Sequence, residues 1–283
     1  MPTKTAKKTT PQKAPSLISD TKLRQMYAMM LKCRMIESHT RNRSNGSLWK
    51  GKEAVAVGVA IDLRPEDTIV FSSNAAVASF LKGAPLRSIF HQPHGDSSRS
   101  VRKHGKSVAR PGAAAQSALA TGIAYASRSE NKGGITVAFF SESPDTCEAG
   151  GDALSFAAKQ HLPVIYVYSG EADLTQMHSY GFPVIPVDGC DVVAVYRVAH
   201  ECMIRARRGG GPSIIACLLP KNGRSGASQD PLQNMEGYLT AKGLFKKERK
   251  QSTILAFENA ITVAKRQPRD SKPPRETEHL FVI

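Results

Sequence analysis

Ile135-Thr-Val-Ala-Phe-Phe140, the segment Glu148 to Gln160, and Pro163-Val-Ile-Tyr-Val-Tyr168 decide the fold. The first and third are short apolar runs suited to buried parallel strands, and the middle segment has helical spacing. Ligands of open α/β sheets sit just past the carboxyl ends of such strands. That places Ser141-Glu-Ser-Pro-Asp145 and Ser169-Gly-Glu-Ala-Asp173 at the mouth of a candidate site. Both segments are acidic, and neither carries the glycine pattern that lets a backbone close around a phosphate.

The same rhythm extends in both directions. Upstream, Asp20 is a fair N-cap for a helix with an apolar stripe at Leu23, Met26, Tyr27, Met30 and Leu31. Glu53 to Asp62 reads as a buried helix stopping before Arg64-Pro65, Thr68 to Phe71 as a strand, and Ala75 to Lys82 as a helix ended by Gly83. A further turn or two spans Pro85 to His91, His91 to Pro111 reads as a long irregular loop, and an apolar helix runs from Ala113 to Arg128. Downstream come a strand at Val184 to Asp188, a helix at Asp191 to Arg207, a strand at Ser213 to Leu219, and helices around Leu232 to Lys242 and Lys246 to Arg266. Gly209-Gly-Gly211 follows a helix and precedes a strand, the reverse of a phosphate loop, so it reads as a helix stop. Strands and helices alternating in this way call for an α/β fold, a doubly wound and mostly parallel sheet with helices on both faces. The expected organisation is one domain over residues 17–267, between a basic tail at 1–16 and a second tail at 268–283.

The five cysteines are scattered without close pairs, which argues against a disulfide framework or a zinc site and fits a reducing, cytoplasmic compartment. No apolar run is long enough to span a bilayer. The formal net charge of +15 is concentrated near the ends, with one internal group at Arg99, Arg102, Lys103, Lys106 and Arg110. Such runs are usually solvated, and with few aromatics and no nucleic-acid motif they imply weak, non-specific contact with polyanions.

Several stretches carry a resemblance. Gly51-Lys-Glu-Ala-Val-Ala-Val-Gly58, Leu63-Arg-Pro-Glu-Asp67, Leu81-Lys-Gly83, Gln116-Ser-Ala-Leu-Ala-Thr-Gly-Ile-Ala124, Val137-Ala-Phe-Phe140, Ala153 to Ala158 with Leu162-Pro-Val-Ile165, and Asp230-Pro-Leu232 with Tyr238 to Leu244 follow one another in a familiar order. The chain resembles the alpha subunit of thiamine-diphosphate-dependent 2-oxo acid dehydrogenases, from about Leu23 to Arg266. The resemblance implies a thiamine-diphosphate-binding fold, oxidoreductase chemistry, thiamine diphosphate with Mg²⁺ as cofactors, and a beta subunit or self-association completing the site. It assigns cofactor positions to Ser73, Asn74, Gln116, Ser141 and Ser143, and metal positions to Glu142 and Glu171.

Those positions depart from the family's pattern. Where the family has Gly-Asp-Gly followed about thirty residues on by an Asn pair, this chain has Ser141-Glu-Ser143 and Gly170-Glu171. Serine adds a Cβ where backbone must approach closely, and Glu171 adds a second anion beside a diphosphate. Where the family has Tyr-Arg-Asp-His, this chain has Ser73-Asn-Ala-Ala76, so the arginine fork becomes a neutral amide. The segments between Gly46 and Gly51 and across Asp96 to Pro111, with His94 and His104 nearby, and Lys221 to Ser228, are shortened or replaced relative to the family's loops. The expected function is a degenerate alpha-subunit homologue, a pseudoenzyme acting as scaffold or regulatory partner and lacking assignable catalytic residues. The alternative is an active enzyme that decarboxylates a 2-oxo acid with a beta subunit through a modified acidic metal site.

Overall fold

Parallel strands buried on both faces read as continuous apolar runs, and their parity then assigns each residue to one face or the other. A computed structural model describes residues 18–40, 51–71, 75–91, 107–109, 115–131, 133–140, 151–170, 180–219 and 230–266. Its strands are β1 (Thr68–Phe71), β2 (Ser107–Ala109), β3 (Thr136–Phe140), β4 (Val164–Gly170), β5 (Val184–Asp188) and β6 (Ser213–Leu218). They form one sheet in the order β2-β1-β3-β4-β6-β5, with every pairing parallel. The helices are α1 (Asp20–Thr40), α2 (Glu53–Ala60), α3 (Ala75–Leu81), α4 (Leu86–Phe90), α5 (Gln116–Ser129), α6 (Gly151–Lys159), α7 (Val192–Arg207), α8 (Pro231–Ala241) and α9 (Lys247–Arg266).

Parity divides the core in two. Ile69, Phe71, Val137, Phe139, Ile165, Val167, Ile215 and Cys217 face a large cluster with α1, α2, α3, α7, α8 and α9. Val70, Ala138, Phe140, Val164, Tyr166, Tyr168 and Ile214 face a smaller one closed by α5 and α6. The parallel sheet covered on both faces is therefore as the sequence implied. Every residue of α2 is buried, in keeping with its apolar sequence. At Gly58 an added Cβ would lie 2.8 Å from the Val195 side chain of α7, so the two helices touch backbone to side chain at that point. The outer side of α5 and α6 stays uncovered: Leu119, Tyr125 and Phe156 are 38%, 48% and 43% exposed, and the Tyr125 and Phe156 rings lie 5.7 Å apart.

Local chemistry fixes the ends of the helices. Asp191 caps α7 by accepting from the Val193 and Ala194 amides, and Asp230 caps α8 by accepting from Leu232 with Pro231 at the first helical position. The Gly209 and Gly211 backbones sit at φ +77° and +83°, and Gly210 N–H bonds back to the Arg205 carbonyl at 2.9 Å, so the triple glycine is a helix stop. Two expectations differ. Ser19, not Asp20, caps α1, its hydroxyl accepting from Lys22 N–H at 3.2 Å while Asp20 occupies the first turn. The stretch read as an irregular loop from His91 to Pro111 contains β2, an edge strand whose Ser-Val-Ala sequence is too short and too polar to announce itself. The expected tails at 1–16 and 268–283 lie outside the described residues, as does Cys147; Cys33, Cys190, Cys202 and Cys217 are buried thiols. No helix among the described residues is long and apolar enough to cross a membrane.

At the amino-terminal edge of the sheet the Asp67 carboxylate has no exposed surface. Its Oδ1 accepts from Ile135 N–H at 2.9 Å and Arg207 Nη1 at 3.0 Å, and its Oδ2 from Arg64 N–H at 2.7 Å and Arg207 Nη2 at 2.6 Å. Lys82 Nζ donates to the Arg64 and Asp67 carbonyls at 2.7 and 2.6 Å. Next door, a Cβ on Gly134 would lie 2.6 Å from the Glu66 carbonyl oxygen, so only glycine fits. Removing one partner of such a buried pair strands the other charge and costs about 3–5 kcal/mol. Asp67→Ala should therefore reduce the unfolding free energy in urea by about that amount; a loss below about 1 kcal/mol would contradict the role given to this carboxylate.

A second ion cluster ties α1 to the amino-terminal ends of α2 and α8. Arg34 donates from Nε to Glu53 at 2.7 Å and, bidentately, to Asp230 at 2.7 Å on both oxygens. Glu53 Oε2 also accepts from Gly51 N–H at 3.0 Å. The Arg34 bonds hold the Asp230 carboxyl below its usual range against opposing burial, with the Leu232 amide adding to the effect. Because an unfolded aspartate titrates near about 3.9, the stabilisation is fully present above that pH and is lost as pH falls through the lower folded value. Asp230→Asn, which keeps the capping oxygen, should lower the melting temperature at neutral pH, and its gap from the parent should close below about pH 4. A gap that stays constant from pH 6 to pH 3 would rule the ion pair out as its source.

Candidate functional site

In this sheet the direction of winding reverses between β1 and β3. The chain leaves β1 for α3, whose Val77, Ala78 and Phe80 join the large cluster, and leaves β3 for α6, whose Leu154 and Ala157 join the small one. Consecutive crossovers on opposite faces open a crevice at the carboxyl ends of the two strands, where such sheets bind ligands. Ser141 to Asp145 follow β3 in sequence and Ser72 to Asn74 follow β1, and both segments lie outside the described residues.

Gln116 opens α5 and spans that crevice. Its side chain is fully buried, and Nε2 donates to the Val70 carbonyl of β1 at 3.4 Å and to the Phe139 carbonyl of β3. Two carbonyl acceptors fix the amide's orientation, because reversing it would set oxygen against oxygen. Gln116 Oε1 is left buried without a partner, and so is the neighbouring Ser117 hydroxyl. On the other side of β3, Ser169 Oγ donates to the Phe140 carbonyl at 3.3 Å, and β4 ends at Gly170 with φ +154°. Deeper in, the Tyr166 hydroxyl lies 2.7 Å from Thr121 Oγ1, and burial pushes its pKa up, so it remains a neutral phenol.

Of the residues assigned to the site from the sequence, Gln116 alone lies among the described residues. Ser73, Asn74, Ser141, Glu142, Ser143 and Glu171 lie outside them. Among the described residues no group of three or more His, Cys, Asp or Glu side chains could hold a metal ion. A diphosphate is held by hydrogen-bond donors and cations. Gln116 commits its donors to the strands and leaves an acceptor, while Phe71, Phe140, Gly170 and Leu218 at the strand ends add no cation. The Ser117 hydroxyl is neutral. Among the described residues at the strand ends there is no cation for a diphosphate, and the segments that the resemblance assigns to it lie outside them.

The Arg34 cluster, which the sequence did not reveal, lies toward the carboxyl end of β5. Cys190, just past that strand, has its thiol pushed up to about 11 by burial and then by the charges of Asp188, Asp230 and Glu53. It is a protonated, unreactive thiol at neutral pH. Arg34 thus ties α1, which ends at Thr40, to the start of α2 near Gly51 and to the N-cap of α8 at Asp230, on either side of segments 41–50 and 220–229. No sequence signal pairs Arg34 with residues 19 and 196 positions away; the cap signature of Asp230-Pro231 was the one visible part.

The alpha subunit of acetoin:2,6-dichlorophenolindophenol oxidoreductase from Bacillus subtilis is 29% identical over 201 residues, covering 62% of this chain and 60% of that protein. The pyruvate dehydrogenase E1 alpha subunit of Acholeplasma laidlawii is 27% identical over 198 residues, covering 64% and 57%. The 3-methyl-2-oxobutanoate dehydrogenase alpha subunit of Mycobacterium tuberculosis is 28% identical over 232 residues, covering 74% and 63%. The chain thus spans roughly three-fifths of the length of these relatives. A solved thiamin-diphosphate-dependent enzyme from Mycobacterium smegmatis overlays with a TM-score of 0.42 and 14% identity, covering 59% of this chain and 31% of that one. The profile described as "Dehydrogenase E1 component" matches residues 21–169 and 168–219, most of the sheet and its helices, and the chain belongs to that family.

Proposed function

We propose that this chain is a non-catalytic alpha-type subunit that pairs with a beta subunit of a 2-oxo acid dehydrogenase, or with itself, and contributes scaffold or regulation in place of a cofactor half-site. The observation that carries the reading is the set of residues at the positions that the resemblance assigns to the cofactor. Asn74 stands where the resemblance expects an arginine, Glu142 and Glu171 bring two carboxylates, and Gln116 turns an acceptor toward no partner. An arginine fork to phosphate is a charge-assisted bidentate contact, and its loss weakens anion binding by ~10²-fold or more. Supporting the need for a partner, Leu119, Tyr125 and Phe156 are exposed on α5 and α6, with the Tyr125 and Phe156 rings 5.7 Å apart, and grouped exposed apolar side chains mark protein contact. The burial of the described cysteines supports a reducing, cytoplasmic setting.

A second reading keeps the activity. Glu142 and Glu171 are oxygen donors of the type Mg²⁺ takes, and with them the chain would hold thiamine diphosphate through the metal instead of through arginine. Titration separates the two. The isolated chain should show no saturable heat with thiamine diphosphate and Mg²⁺ at micromolar concentrations, and no cofactor-dependent rise in melting temperature. Asn74→Arg combined with Glu142→Asp and Glu171→Asn should recover measurable binding. Saturable micromolar binding by the parent chain would overturn the non-catalytic reading.

A further inference from the structure

The outward face of α5 and α6 carries a pattern that reads the same when it is reversed. α5 precedes β3 and α6 precedes β4, so both helices run against the parallel strands and lie parallel to each other. Thr121 Oγ1 donates to the Ala153 carbonyl at 3.4 Å, and the Tyr125 and Phe156 rings lie 5.7 Å apart, which aligns the two helices turn for turn. Within α6 the exposed positions are Asp152, Phe156 and Lys159, spaced i, i+4 and i+7 along one stripe. On α5 the exposed stripe is Ala118, Leu119, Gly122, Tyr125 and Ala126. Past it, Arg128 and Glu130 are both exposed and offset each other in charge.

Turning α6 end for end exchanges its acid for its base. Phe156 stands near the midpoint between Asp152 and Lys159, so a two-fold pairing with the helices antiparallel brings the two phenyl rings together about the axis. Asp152 of each copy then faces Lys159 of the other, once on either side of the rings. An isologous contact requires this self-complementarity, because residue i meets residue j wherever j meets i. A face shaped for an unrelated protein has no need of it. Tyr125 joins the rings at the centre, and aromatic anchors with charged pairs at the rim are the arrangement that carries most of the energy of a protein contact. Ala118, Gly122 and Ala126 are small, and no atom lies within 4 Å of a Cβ built on Gly122, so a facing α5 can approach without a clash.

We propose that the α5–α6 face is a two-fold contact between two copies of this chain, centred on Phe156 and Tyr125 and held in register by Asp152 and Lys159 across the interface. The proposal rests on the subunit-pairing part of the function proposed above and, of the two partners named there, assigns a second copy to this face.

The test is sedimentation velocity of the full chain across micromolar concentrations. Physiological salt is used because the formal net charge of +15 repels two copies at long range, and charges more than roughly 8 Å apart are screened there. The parent chain should self-associate. Asp152→Lys and Lys159→Asp each set like charges against one another across the axis, and each should weaken self-association at least tenfold. Mixed in equal amounts, the two variants should pair with each other, because each supplies at both contacts the charge that the other lacks. Phe156→Ser, which removes the central ring without altering charge, should also weaken self-association; all three positions are exposed, and circular dichroism checks that the fold persists. A parent chain that stays monomeric, self-association untouched by all three substitutions, or folded charge variants that remain apart when mixed would each overturn the proposal. A monomeric parent that still forms a complex with a beta-type chain and binds no cofactor would overturn the self-pairing alone, whereas a dimer with the expected variant behaviour that binds thiamine diphosphate would uphold it and overturn the non-catalytic reading instead.

Discussion

The Asp67 carboxylate is the interaction on which the remaining architecture depends. A buried charge is tolerated only when its partners fill its lone pairs, and Asp67 has four donors, two from the backbone and two from Arg207. The Ile135 amide pins the start of β3 to the start of β1, the Arg64 amide closes the turn before β1, and the guanidinium draws in the end of α7. Lys82 seals the same turn from the other side through its carbonyls. With register set at one edge, Phe71 and Phe139 fall opposite each other and stack at 4.5 Å, and the strands end level at the other edge. Gln116 then bridges the two ends there, so one polar clamp stands at each end of the β1–β3 seam.

That arrangement separates the scaffold from the chemistry. The switch point, the depth of the crevice and the two-sided core are set by apolar parity and by Asp67, none of which involves a cofactor. Most of the positions that the resemblance assigns to a diphosphate follow the strands in sequence, where substitution costs the sheet little. A chain can therefore keep the E1 sheet while the residues that follow its strands in sequence change. The proposed non-catalytic role follows from that asymmetry.

Much of the fold was legible because its signals are local. Five of the six strands are apolar runs four to seven residues long, and α2 and α7 declare themselves by composition and by the Asp191 cap. β2 was not legible, since Ser107 to Ala109 offer one large apolar residue and owe their pairing to β1. Neither was the Asp67–Arg207 pair, which joins residues 140 positions apart by charge alone. In the candidate site the segments named from strand order lie outside the described residues, and Gln116 was flagged through the resemblance. Its bonds were invisible because its partners are backbone carbonyls, which every residue carries. The Arg34 cluster escaped for a similar reason: its cation reads in sequence as solvated charge, and only packing shows which acids it meets.

The central claim is that the E1 scaffold persists here without its cofactor chemistry. Release of carbon dioxide from carboxyl-labelled pyruvate or a branched-chain 2-oxo acid, by this chain purified together with its beta-type partner and supplied with thiamine diphosphate and Mg²⁺, tests it most directly. The account predicts a stable complex that releases no label above the level of the partner alone. Label release that requires both chains and the cofactor would contradict it.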